Sequence, residues 1–155
     1  MTLEVGVNSY ISVADANKYF ETRLHSDEWS NASELEQRNA LVTATSKIDM
    51  QRLIGKKAKE DQVLAFPRQL YVHGYWHVQD NVPKEVLYAT CEEAIALLRQ
   101  NTVYQDLKEA GIQSKTTGDA SVTFAARAMG KVDELMSPRA KVLLRGFSAG
   151  TVKIK

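Results

Sequence analysis

Cysteine occurs once, at Cys91, so an internal disulfide framework is excluded and a reducing compartment is the natural setting. No apolar run approaches the length of a membrane span, and residues 1–10 show neither a basic start nor an apolar block. Charge of one sign is missing too: the net value of +1 supplies no overall attraction to nucleic acid or to an anionic membrane. There is no Gly-rich phosphate loop, no Ser-centred elbow, no Walker pattern, no internal repeat and no low-complexity segment. These absences predict an intracellular soluble protein with no catalytic residue, no cofactor and no metal site.

What is present suits a globular chain. An apolar fraction of 44% and a charged fraction of 25% are ordinary for a domain with a real core, and 155 residues fit one domain with at most a short appendage. The organising stretch is residues 62–68, where Val63, Leu64, Ala65, Phe66 and Pro67 lie between a charged run and an aromatic loop. Pro67 fixes its own φ and keeps Phe66 out of the α region, which predicts an extended, buried connector that pins one helix against the next.

Helical signals flank it. Ser12 ahead of Val13-Ala14-Asp15 is a capping-box pattern with Asp in place of Glu, and Ala16, Phe20 and Leu24 follow at helical spacing with Tyr19 beside them. A loop is expected around Trp29. Ser33-x-x-Glu36 opens a second helix, with Leu41, Ala44 and Ile48 inward, to about residue 51. Residues 55–60 read as a polar linker or a frayed helix end.

A third helix is predicted over 83–99, with Pro83 in its first turn. Leu87, Cys91, Ala94, Ile95 and Leu98 form its apolar stripe, and Glu85, Glu92 and Arg99 its polar face. A further helical turn over 103–110 would end at Gly111. Beyond it, Ala120, Val122 and Phe124 alternate with Ser121 and Thr123 as in a strand. Residues 125–136 read as helical, Ser137-Pro138 starts a short helix that Gly146 stops, and residues 151–155 alternate like an edge strand.

Several chemistry-bearing patterns reduce to structure. His73-x-x-x-His77 has metal-ligand spacing, but Gly74 lies between and no cysteine completes a site, so an exposed aromatic loop is the better reading. Cys91 on an apolar stripe is an inert buried thiol. Glu92 and Glu93 are adjacent in a helix, diverge, and read as a solvated face. Arg68, Tyr71, His73, Tyr75, Trp76 and His77 interleave rings with basic groups, as a single-strand stacking platform would. Against that, only Arg68 is fully charged at neutral pH, and aromatics in a loop also serve to cover a core or meet a protein partner.

Charge is concentrated at the end. Residues 137–155 hold Arg139, Lys141, Arg145, Lys153 and Lys155 and no acid, which leaves 15 basic and 19 acidic residues elsewhere. Charge alone leaves two readings open, an interaction arm or a solvated tail.

The order of motifs adds a resemblance. It runs from Asn8-Ser9-Tyr10-Ile11-Ser12 through Ala14-Asp15-Ala16, Tyr19-Phe20 and Trp29 to Ala40-Leu41, Ala44-Thr45 and Ile48-Asp49. It continues with Gln62-x-Leu64-Ala65-Phe66-Pro67-Arg68, Pro83-x-x-Val86, Ala89-Thr90-Cys91-Glu92 and Ala94, and closes with Gly111-Ile112 and Gly118-Asp119-Ala120-Ser121-Val122. Over residues 8–124 this series resembles the head–tail connector (adaptor, head completion or neck) proteins of tailed phages and prophages. Part of that group is described as DnaT-like single-stranded DNA-binding protein.

The resemblance implies a structural, non-enzymatic virion protein at the neck, held in the host cytoplasm before assembly, that joins a ring between portal and tail. The ring that the resemblance implies is dodecameric. Its implied partners are the portal protein, copies of itself, the next neck or tail-completion protein, and DNA in the channel. The expected fold is mainly α: a compact bundle of three to four helices with a small β element and an extended C-terminal arm. Residues 1–111 would form the connector body and 112–155 the β/helix arm for assembly contacts. Portal or inter-subunit contacts are expected at Arg139, Lys141, Arg145, Phe147, Val152, Lys153, Ile154 and Lys155, and nucleic-acid or partner contacts at Arg68, Tyr71, Tyr75 and Trp76. A single-stranded DNA-binding accessory protein of phage replication is the competing function.

Overall fold

The computed structural model describes residues 2–99, 114–117, 120–123 and 135–150. In chain order it contains α1 (Val13–Glu21), α2 (Asp27–Asn31), α3 (Glu34–Asp49), β1 (Lys56–Lys57), β2 (Arg68–Val72), β3 (Tyr75–Val78), α4 (Lys84–Leu98), β4 (Ser114–Thr117), β5 (Ala120–Thr123), α5 (Pro138–Leu144) and a 3-10 turn at Arg145–Phe147. The described chain is thus mainly α, with a three-stranded antiparallel sheet ordered β1-β2-β3 and a separate β4–β5 pair. The expected helical turn at 103–110, most of the expected helix at 125–136 and the strand at 151–155 lie outside the described residues.

Local chemistry sets the helix starts. Ser12 Oγ accepts from Asp15 N, and Ser33 with Glu36 forms a complete reciprocal capping box, which satisfies donors that a helix N-terminus otherwise leaves unpaired. Ser137 Oγ accepts from Ala140 N, and Pro138 occupies the first turn of α5. Pro83 sits at the N-cap of α4 rather than inside its first turn.

Helix α4 is the spine. It packs against both α3 and α5 and also touches α1 and α2. Val86 and Ala89 belong to one apolar cluster, with Tyr10, Ile48, Phe66 and Leu144. Cys91, Ala94 and Ile95 belong to the other, with Phe20, Trp29 and Leu41. Every residue from Ala89 to Ile95 is buried, so for nearly two turns this helix has no solvent face.

Several expectations change for that reason. Glu92 and Glu93 are 1% and 0% exposed, not solvated. Glu92 accepts from the Tyr19 hydroxyl at 2.6 Å and from Arg23 Nε at 2.6 Å and Nη2 at 2.9 Å. Glu93 accepts from Lys47 Nζ at 3.2 Å and from the backbone N–H groups of Met136 and Ser137 at 2.9 Å. Periodicity within α4 reports only its own faces. It carries no information on the later segment that covers the acidic one.

The segment 135–150, expected within an extended arm, is docked on the body. Ala140 and Leu144 are buried in the first cluster, and Phe147 meets Phe66 edge to face at 5.3 Å. Two backbone bonds, Ile54 N to Phe147 O at 2.8 Å and Ala149 N to Arg52 O at 2.7 Å, fasten it to the segment after α3. Near Trp29 the expected loop is helix α2, with the ring buried against Phe20 and its Nε1 donating to Asn17 at 2.8 Å. Leu24 is 82% exposed because α1 has already ended at Glu21.

The connector at 62–68 is held from two sides. Leu64, Ala65 and Phe66 are buried, although this stretch bends rather than running fully extended. Ala65 N donates to Asp49 Oδ2 at 3.1 Å, Phe66 N donates to the Tyr10 hydroxyl at 3.2 Å, and that hydroxyl donates to Asp49. The N-terminal segment, the end of α3 and the connector therefore share one hydrogen-bond network.

Two outcomes follow from the buried acids. Glu93→Ala leaves the N–H groups of Met136 and Ser137 without their acceptor and removes the carboxylate that Lys47 bonds, and is expected to cost about 3–5 kcal/mol in urea denaturation. Glu34→Ala, at an exposed pair with Arg38, should stay within about 0.5 kcal/mol. Equal effects would contradict the role of Glu93 in holding the segment before α5. For Glu92, burial pushes the carboxyl pKa up, but the bonds from Arg23 and Tyr19 outweigh it and hold the group below its usual 4.5. Its contribution is therefore full above that value and lost as pH falls through the lower folded value. Stability measured between about pH 5 and pH 3 should fall less steeply in Glu92→Gln than in the parent chain.

Candidate nucleic-acid interface

The loop expected at residues 69–81 is mostly a β-hairpin. β2 and β3 pair as Gln69 with Val78, Leu70 with His77, Tyr71 with Trp76 and Val72 with Tyr75. Only His73 and Gly74 remain between them, at φ +52° and +85°. Two successive residues with positive φ make the tight turn whose twist matches paired strands, and Gly74 adopts that conformation without a Cβ penalty. The signal was present in the sequence: Leu70-Tyr71-Val72 and Tyr75-Trp76-His77-Val78 are aromatic and β-branched runs separated by two residues ending in glycine.

β1 adds a third strand by pairing Lys56 with Gln69 and Lys57 with Arg68. Gly55, at φ +73°, brings its backbone so close to β2 that a Cβ there would run into the Gln69 carbonyl oxygen. Residues 55–60 therefore include a strand rather than a linker or helix end.

Arg68 locks this sheet to the body. It is 8% exposed, and its guanidinium donates to Ile54 O at 2.7 Å, Gly55 O at 2.8 Å and Ala65 O at 3.1 Å. Its place in the sequence suggests a nucleic-acid or partner contact. In the structure its donors are committed to three carbonyls.

The rest of the hairpin faces solvent. Cross-strand partners share a face, so Lys56, Tyr71, Trp76 and Val78 lie on one side and Val72, Tyr75 and His77 on the other. Tyr71 and Trp76 are 63% and 55% exposed, with ring centroids 5.3 Å apart and planes tilted by 58°. Tyr75, across the sheet, is 72% exposed. Lys56 Nζ stands 5.2 Å from the centre of the Trp76 ring.

The structure thus brings together Tyr71 and Trp76, places Tyr75 on the reverse of the same hairpin and withdraws Arg68. It also adds Lys56, which sequence reasoning missed because no local pattern indicates that residue 56 pairs with residue 69. His73 is in the turn and His77 in β3, so the pair does not share a helical face. No group of three or more metal-ligating side chains forms among the described residues. Elsewhere, Arg139, Lys141 and Arg145 are exposed on or beside α5, and Phe147 is half-buried. Val152, Lys153, Ile154 and Lys155 lie outside the described residues.

The family model described as "Putative DnaT-like ssDNA binding protein" matches residues 2–154. No curated protein and no solved structure matches the chain. This match corrects the assignment to head–tail connectors, since the family found across nearly the whole chain is the DnaT-like one. The neck protein, its ring and its portal contacts thereby lose the resemblance that implied them.

Gly55→Ala tests how the platform is held. Positive φ and the clash with Gln69 together should cost about 2 kcal/mol or more in urea denaturation, with faster amide exchange over 68–78. Unchanged stability and exchange would show that β1 can sit elsewhere.

Proposed function

This chain belongs to the DnaT-like ssDNA-binding family, and we propose that it binds single-stranded DNA on the β2–β3 hairpin without chemically altering it. The observation that carries this reading is the exposed Tyr71–Trp76 pair with Lys56 beside it. Unpaired bases offer ring faces that stack on such side chains whatever the sequence, whereas a duplex keeps those faces inside its own stack. Lys56 supplies positive charge where the phosphate backbone of a stacked strand would pass.

The body explains why the rings are available. Phe20, Trp29 and Phe66 fill the two apolar clusters, so the fold does not need Tyr71, Tyr75 or Trp76 inside. Five large apolar residues, Tyr71, Val72, Tyr75, Trp76 and Val78, stand exposed on one small hairpin. A concentration of that kind marks an interaction surface. With a net charge of only +1, the phosphate contribution is small and stacking must carry most of the affinity.

Trp76→Ala should weaken binding of an oligothymidine by roughly ten- to a hundredfold in fluorescence anisotropy, the usual worth of one base–aromatic stack. Lys56→Ala should leave a smaller defect and flatten the salt dependence by about 0.7 in log–log slope. No oligothymidine binding at low salt, or full affinity in Trp76→Ala, would refute the assignment.

A further inference from the structure

A second surface, sharing no residue with the hairpin, is lined by side chains of α1, α4 and α5. Tyr19, Tyr88, Pro138, Arg139, Val142 and Leu143 line a groove of about 480 Å³. Val142 is 63% exposed and Tyr88 39%, so its walls are open to a partner. One corner carries unbalanced charge. Arg23 and Arg139 both face the single carboxylate of Glu92, which Arg23 already holds through two bonds while Arg139 Nε stands 3.9 Å away. Residues 137–150 contain no acid.

We propose that this groove binds an acidic peptide segment of a partner protein, seating a large apolar side chain against Tyr88, Val142 and Leu143 with a flanking carboxylate on Arg139. Charge complementarity selects the carboxylate, and the apolar walls select its neighbour. A nucleobase suits the groove less well. Tyr19 and Tyr88 stack on each other at 4.8 Å, which occupies one face of each ring. The Tyr19 hydroxyl is committed to Glu92, which leaves the Tyr88 hydroxyl and Arg139 as the polar lining side chains. Aliphatic Pro138, Val142 and Leu143 complete a wall suited to a Leu, Ile or Phe side chain.

The test uses the full chain and a fluorescein-labelled peptide of alternating glutamate and leucine, followed by anisotropy. Saturable binding is expected, weakened at least about tenfold by Val142→Asp and by Arg139→Gln, and unchanged by Trp76→Ala. Both altered side chains are exposed, and unchanged urea midpoints would separate a binding defect from misfolding. No binding by the glutamate–leucine peptide, or equal binding of a lysine–leucine peptide, would overturn the proposal. So would loss of oligothymidine affinity in Val142→Asp and Arg139→Gln with peptide binding intact, which would give the groove to DNA. Because Trp76→Ala reports the hairpin alone, failure of this proposal and failure of the DNA assignment are distinguishable.

Discussion

The fold is arranged around a helix that has no outside over seven consecutive residues. Through Ala89–Ile95, α4 is covered on every side, yet two adjacent positions in that stretch are glutamates. A buried carboxylate is tolerable only when its oxygens are met by donors. Glu92 draws Tyr19 of α1 and Arg23 just beyond its end against the spine, and Glu93 draws Lys47 of α3 and the backbone leading into α5. The two side chains diverge along the helix, so each organises a different neighbour. Elements far apart in sequence are thereby registered on one another by groups of fixed direction, and apolar contact alone would not impose that.

Because the body is closed in this way, the sheet has a different task. Arg68 ties its inner end to three carbonyls near the connector, while the tip carries aromatic rings that the core does not use. Anchoring at one end and exposure at the other suit the hairpin to the proposed role of a support for flat ligands. Preorganised rings lose little conformational freedom on binding, which favours unstacked bases over flexible partners. The groove beside α5 differs in kind: its walls combine two tyrosines with Pro138, Val142 and Leu143, and its charge is one arginine beyond what Glu92 balances.

Much of the helical framework was legible because its signals are local. Ser33 and Glu36 identify a capping box three residues apart, and Cys91, Ala94 and Ile95 define an inner face within one helix. The buried state of Glu92 and Glu93 was not legible. It depends on α1 and on the segment before α5, and no spacing inside α4 records what lies over it. The hairpin was half legible. Its aromatic residues stand out in the sequence and His73-Gly74 carries a turn signal, but the pairing of Lys56 with Gln69 has no sequence signature. Arg68 shows the reverse error, since a cation among rings suggests a ligand contact and only the three-dimensional arrangement reveals that its donors are already used.

The central claim is that single-stranded DNA lies on the rings of the hairpin. Amide chemical-shift mapping of the full chain titrated with an oligothymidine tests it most directly. Shifts concentrated at Lys56 and over residues 70–78, with the α3–α4 contact unmoved, are the predicted result. Shifts gathered elsewhere on the surface, with residues 70–78 unchanged at saturation, would contradict it.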